Sequence, residues 1–228
     1  MTLHHVDILF QIVAFIFAIS VHESAHAWMA NQRGDPTARM LGRITLNPIK
    51  HIDPVGTVLL PLIAVISHIP VIGWAKPTPV NPHNFQNPVL DDVLTAVVGP
   101  ISNFVVAAGA TLVLLVVKFS STTGHDIVIA NIFNQPWMVR PDSNLVPICQ
   151  LFFILLEINV LLAVFNLIPI PPLDGSHVLR HFLPDSVLRV YDMVGFLGLM
   201  ALVFFAPGVL SALFSPVMGA FLWILAIG

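Results

Sequence analysis

The sequence predicts an all-α polytopic membrane protein, with about five transmembrane helices plus a re-entrant hairpin and a short extended segment, in one domain over residues 1–228. Three observations predict it. Hydrophobic residues make up 57% of the chain and charged residues only 9%, against about 25% charged in a soluble domain; mean hydropathy is +0.90. Five apolar stretches, near residues 6–30, 93–117, 147–170, 187–206 and 209–227, are long enough to cross a hydrocarbon core of about 30 Å as helices. A sixth, residues 55–72, is interrupted by Pro61 and by Ser67-His68-Ile69-Pro70.

The first stretch has no Lys or Arg before it, and the first basic residue is Arg33. It therefore reads as a mature helix rather than a cleaved leader. A polar stretch with Arg33, Arg39, Arg43 and Lys50 follows, then the interrupted stretch. Next comes Gly73-Trp74-Ala75-Lys76-Pro77-Thr78-Pro79-Val80-Asn81-Pro82, whose prolines exclude a helix and favour extended backbone. Residues 119–146 read as a polar loop. A proline-rich run, residues 169–175, ends the fourth helix, and Pro207-Gly208 separates the last two.

Polar residues set the topology. His22 to His26 fall at the end of the first helix, Gly99 to Asn103 early in the next complete span, and Asp174 just past the one after it. They share one membrane depth if residues 55–72 re-enter; a full span there would turn the next helix the other way up. With re-entry, seven of the nine basic residues lie on one face, leaving Lys118 and Arg140 on the other. That excess marks the first face as cytoplasmic and puts the N-terminus outside. A net charge of −3 with no basic run argues against nucleic acid as a partner. Cys149 is the only cysteine, so neither an intrachain disulfide nor a Cys-based zinc site is available.

His22-Glu23-Ser24-Ala25-His26 has the pattern H-E-x-x-H. Residues i and i+4 share a helix face, so both imidazoles reach one ion. Glu23 is rotated about 100° from His22, out of the first coordination sphere but within reach of a water that zinc acidifies. Three ionisable groups in one apolar helix need a stronger reason than packing. A catalytic zinc takes a third protein ligand. Glu157, the only other glutamate, lies in the middle of its span, whereas Asp174 lies at the matching depth. Geometry favours Asp174 and leaves Glu157 as the alternative.

H-E-x-x-H in the first helix, Gly99-Pro100-Ile101-Ser102-Asn103 (G-P-x-x-N) and Asn166-Leu167-Ile168-Pro169-Ile170-Pro171-Pro172-Leu173-Asp174-Gly175 (N-x-x-P-x-P-x-L-D-G) together resemble the site-2 protease family of intramembrane zinc metalloproteases, over roughly residues 15–180. The resemblance implies Zn2+ held by His22, His26 and Asp174, with Glu23 as general base and Asn166 contributing as a second catalytic residue. Gly73 to Pro77 resembles a segment of the family's small members; the PDZ and CBS modules of larger relatives are not expected. Hydrolysis of peptide bonds within or next to transmembrane segments of membrane-anchored proteins follows, in the lipid bilayer of the cell membrane, with the site towards the cytoplasm.

Trp74, Lys76, Pro77 and Val80 are substrate-binding candidates, because an extended backbone offers an edge to which an unwound peptide adds. Asn103 is a further candidate, bonding active-site backbone or another helix. His177 and His181 have helical spacing in a polar loop and raise the question of a second metal. A zinc transporter or sensor would use the same ligands without hydrolysis, but it predicts polar residues at several depths, and here they gather at one.

Overall fold

The computed structural model describes residues 3–59, 63, 75–133, 135 and 143–227. In chain order the helices are α1 (Leu3–Gln32), α2 (Thr37–Met40), α3 (Pro88–Ser120), α4 (Thr122–Ile132), α5 (Leu145–Asn166), α6 (Asp174–Arg180), α7 (Asp185–Phe205) and α8 (Pro207–Ile227). Short 3-10 turns lie at Pro48–Lys50 and Pro82–Asn84, and a π-helical turn at Pro54–Leu59. Among the described residues there is no strand, and five helices (α1, α3, α5, α7 and α8) are long and apolar enough to cross a membrane. The protein is a multi-pass membrane protein of helices.

Small residues bring α1 and α3 together. On α1 the buried positions Ala14, Ala18, His22, His26 and Ala30 recur every fourth residue. On α3 Asp91, Thr95, Gly99, Asn103, Ala107 and Thr111 do the same. Rows spaced by four form continuous ridges on a helix, and Ala and Gly along them let two backbones approach closely, which is how membrane helices gain packing energy without a hydrophobic driving force. Helix α5 closes the core with Leu156, Val160 and Cys149, packed in one cluster with Ala107, Ala110 and Leu114 of α3 and Leu225 of α8. Lys118, at the end of α3, donates to the Leu225 carbonyl at 2.8 Å and so satisfies the last turn of α8.

The ends of α1 and α3 are tied by Arg33 Nε to Asp91 Oδ1 at 2.9 Å. Together with the His22–Asn103 and His26–Thr95 contacts, this makes the two helices antiparallel. The chain after α1 thus leaves and returns at one end of the bundle. The re-entrant hairpin expected at residues 55–72 lies largely outside the described residues, apart from the π-helical turn. Trp74, the first residue of the expected substrate segment, is also outside them. Residues 75–81 carry neither helix nor strand.

Two boundaries and one helix differ from expectation. Helix α3 begins at Pro88, not near residue 93, because proline at N1 loses only an N–H that has no intrahelical partner. Helix α5 stops at Asn166 rather than 170, since Pro169, Pro171 and Pro172 cannot continue it. Residues 122–132 form a helix inside the expected polar loop: Ser121 Oγ accepts from Gly124 N at 3.0 Å as an N-cap, and Ile127, Val128 and Ala130 are buried.

Candidate metal centre

Helix α1 carries His22 and His26 on its buried ridge, one turn apart. Each ring is fixed through its Nδ1. That of His26 lies 2.6 Å from the Thr95 carbonyl, which only accepts, so Nδ1 carries the hydrogen. That of His22 lies 2.6 Å from Asn103 Oδ1. The Asn103 amide is oriented by donation to Asn159 Oδ1 at 2.8 Å, and the Asn159 amide by donation to the Leu155 carbonyl at 2.8 Å. This chain of amides makes Asn103 an acceptor towards His22 and gives His22 the same tautomer as His26.

Both Nε2 atoms are then bare lone pairs, and they face each other 3.0 Å apart. Asp174, at the first position of α6, adds its carboxylate: Oδ2 is 3.1 Å from His22 Nε2 and Oδ1 3.4 Å from His26 Nε2. Two lone pairs and an anion pointing at one place repel unless a cation lies between them. Tetrahedral zinc ligands at about 2.0–2.1 Å from the ion stand about 3.3 Å from one another, which these spacings match. Asp174 Oδ2 is also buried with no hydrogen-bond partner. Among the described residues, His22, His26 and Asp174 form the one group of His, Cys, Asp or Glu able to share a metal ion. The donor set fits zinc.

Space for the rings comes from Gly99. A Cβ there would fall 2.3 Å from His26 Nε2 and 2.7 Å from His22 Cε1. Glycine 175 serves Asp174 in the same way: a Cβ would lie 2.3 Å from the Leu167 carbonyl oxygen, so only glycine lets the chain fold back over the end of α5 at this point.

The other expected residues distribute as follows. Glu23, half-buried on α1, has its Oε2 bonded to Thr78 N at 2.9 Å and to Thr78 Oγ1 at 2.7 Å. Glu157 is exposed on the surface of α5 and is not part of the ligand group. Asn166 donates from Nδ2 to the Leu162 carbonyl at 3.0 Å, closing the last turn of α5. Asn103 differs from its expected substrate-binding place: it is 0% exposed and its amide is held by His22, Asn159 and the Ala18 carbonyl, so no surface is left for a substrate. Lys76 and Pro77 are exposed and Val80 half-buried; the Lys76 N–H donates to the His51 carbonyl at 2.9 Å, while the Lys76 and Pro77 carbonyls accept from Arg43. His177 and His181 meet on Asp92 of α3, at 3.3 Å to Oδ1 and 2.8 Å to Oδ2.

Sequence reasoning did not find Thr95, Asn159 or Thr78. Thr95 acts through its carbonyl, which any residue could supply. Asn159 had a usable signal, being an amide in the middle of an apolar span.

Buried within a bundle of spans, a His-His-Asp ligand set beside a glutamate defines a membrane metalloprotease. The model of peptidase family M50 matches residues 10–205, and the chain belongs to that family and is a zinc metalloprotease. Over 176 residues it is 36% identical to the Bacillus subtilis (strain 168) protein named "Putative zinc metalloprotease YwhC", which covers 77% of this chain and 70% of that one. No solved structure matches.

Proposed function

We propose that the protein hydrolyses peptide bonds within or next to the transmembrane segments of membrane-anchored proteins, with His22, His26 and Asp174 as zinc ligands and Glu23 as general base. The observation that carries this reading is the pair of bare Nε2 atoms and the Asp174 carboxylate converging one helical step from Glu23. The site's depth supports cleavage inside the bilayer. His26 lies six residues before the end of α1 and Thr95 seven after the start of α3, about 9–11 Å at 1.5 Å per residue. A peptide reaching this depth must be locally unwound, because helical hydrogen bonds hide its carbonyls.

When bound, zinc polarises the scissile carbonyl and acidifies a water. Glu23 takes the proton of the attacking water and later delivers it to the leaving nitrogen. Asn166 is the candidate donor to the developing oxyanion. In the segment that would meet the substrate, the Val80 N–H and carbonyl carry no bond among the described residues; Lys76 and Pro77 are already tied back to the protein, so they would shape the edge rather than pair along it. The tie between Arg33 and Asp91 supports a chain that returns to its starting face, and hence re-entry of residues 55–72 and a cytoplasmic opening in the cell membrane.

The test is cleavage of a single-span reporter by the purified protein in lipid vesicles, with and without a zinc chelator. Chelator-sensitive cleavage within or beside the span is expected. Zinc transport into the vesicles without cleavage would transfer the assignment to a transporter.

A further inference from the structure

The Glu23 side chain has three rotatable bonds and sits only half-buried on α1. Left alone, such a side chain samples many rotamers, and holding it in one costs side-chain entropy. A base that must meet a proton at one place needs something to hold it. The structure supplies that from a distant part of the chain. Thr78 N donates to Glu23 Oε2 at 2.9 Å and Thr78 Oγ1 lies 2.7 Å from the same oxygen. The hydroxyl also lies 3.0 Å from the Glu23 backbone carbonyl; having one hydrogen, it donates to the nearer carboxylate oxygen. Both donors meet Oε2, and Oε1 carries no bond among the described residues.

The donor itself is immobilised. Thr78 stands between Pro77 and Pro79, so its N–H is the only one in that tripeptide, and the two rings restrict the backbone on either side. The segment is then stapled at three points: Lys76 N to the His51 carbonyl at 2.9 Å, the Pro77 carbonyl to the Arg43 guanidinium at 2.8 Å, and Asn81 N to Asp35 Oδ2 at 2.7 Å. Arg43 is 4% exposed and Asp35 0%. Asp35 also accepts from Thr37 and Asn84. Two buried ionisable groups thus anchor a strap whose function at Thr78 is to present two donors to one carboxylate oxygen.

We propose that Thr78 is a positioning residue: it clamps Oε2 of Glu23 and leaves Oε1 as the oxygen that exchanges the proton with water and leaving group. The proposal rests on Glu23 as the general base. Residues 75–81 therefore do more than border a substrate path.

The experiment compares wild type, Thr78→Val, Thr78→Ser and Glu23→Gln on a single-span reporter in vesicles, at equal zinc content and with thermal unfolding checked. Valine matches threonine in shape, keeps the backbone N–H and removes the hydroxyl. It should lower kcat roughly tenfold, as expected for a base displaced by a fraction of an ångström, with KM and zinc content unchanged, and serine should restore kcat. Thr78→Val turning over at the wild-type rate or faster, a change in KM alone, or failure of serine to restore the rate would overturn the proposal. Glu23→Gln separates the two readings. If it is inactive while Thr78→Val is fully active, only the clamp is wrong; if it is active, the base assignment is wrong.

Discussion

Two clusters in this molecule share a composition and differ in what they can do. His22 and His26 of α1 meet Asp174 of α6; His177 in the middle of α6 and His181 just past its end meet Asp92 of α3. Each has two histidines four residues apart and one aspartate from another helix. In the first, both Nδ1 atoms are held by acceptors outside the cluster, Asn103 and Thr95, so both Nε2 atoms face inward bare. In the second, Asp92 is itself the acceptor: His177 Nδ1 lies across both carboxylate oxygens and His181 Nε2 on Oδ2. The first is buried, whereas the His177 side chain is 43% exposed. The first cluster has its lone pairs unmatched and fits a cation. The second has its donors and acceptors matched and fits a clamp between α3 and α6. Spacing alone does not distinguish them; the partner of the far ring nitrogen does.

The sharpest way to break this distinction is at Glu23. Glu23→Gln should lower cleavage by about 10² to 10⁴ while zinc content, measured on the same preparation, stays at the wild-type level. The equivalent loss from His177→Gln would mean that the second cluster takes part in the chemistry.

Next come the residues that orient the first cluster. Asn103→Ala frees the His22 ring, and Gly99→Ala places a methyl 2.3 Å from His26 Nε2. Each should weaken zinc affinity by about 10- to 100-fold, read by competition with a chelator. Glu157→Gln, on the exposed face of α5, should leave affinity unchanged.

Asp92→Asn should weaken the α3–α6 clamp. The expected cost is about 1 kcal/mol, seen as a lower Tm in detergent with the zinc content retained.

The smallest effect belongs to Asp35, a carboxylate with no histidine. Burial works to raise its pKa, but the bonds from Thr37, Asn81 and Asn84 outweigh that and hold it below the ordinary value. A group depressed in the folded state stabilises the protein above its unfolded pKa of about 3.9, and the contribution is lost as pH falls through the folded pKa. Asp35→Asn should therefore lower Tm at neutral pH and narrow its gap from wild type below that range, measured by unfolding across pH.

What was readable in the sequence follows the same physics. His22, Glu23 and His26 are legible because helical spacing is a local property, and Asp174 because charge in an apolar chain is conspicuous. The five spans are legible from hydropathy. Helix α4 was missed because its polar start hides Ile127, Val128 and Ala130, which become a buried face only against α3 and α5. The Thr95 acceptor that sets the His26 tautomer was missed because a backbone carbonyl has no sequence signal, and Thr78 because its bond to Glu23 spans 55 positions.

That the first cluster holds zinc and the second does not is tested most directly by zinc analysis of detergent-purified wild type, Asp174→Ala and Asp92→Ala. About one zinc per chain is expected in wild type and in Asp92→Ala, with Asp174→Ala purifying largely without zinc. Zinc retained by Asp174→Ala, or lost from Asp92→Ala in protein that remains folded, would contradict it.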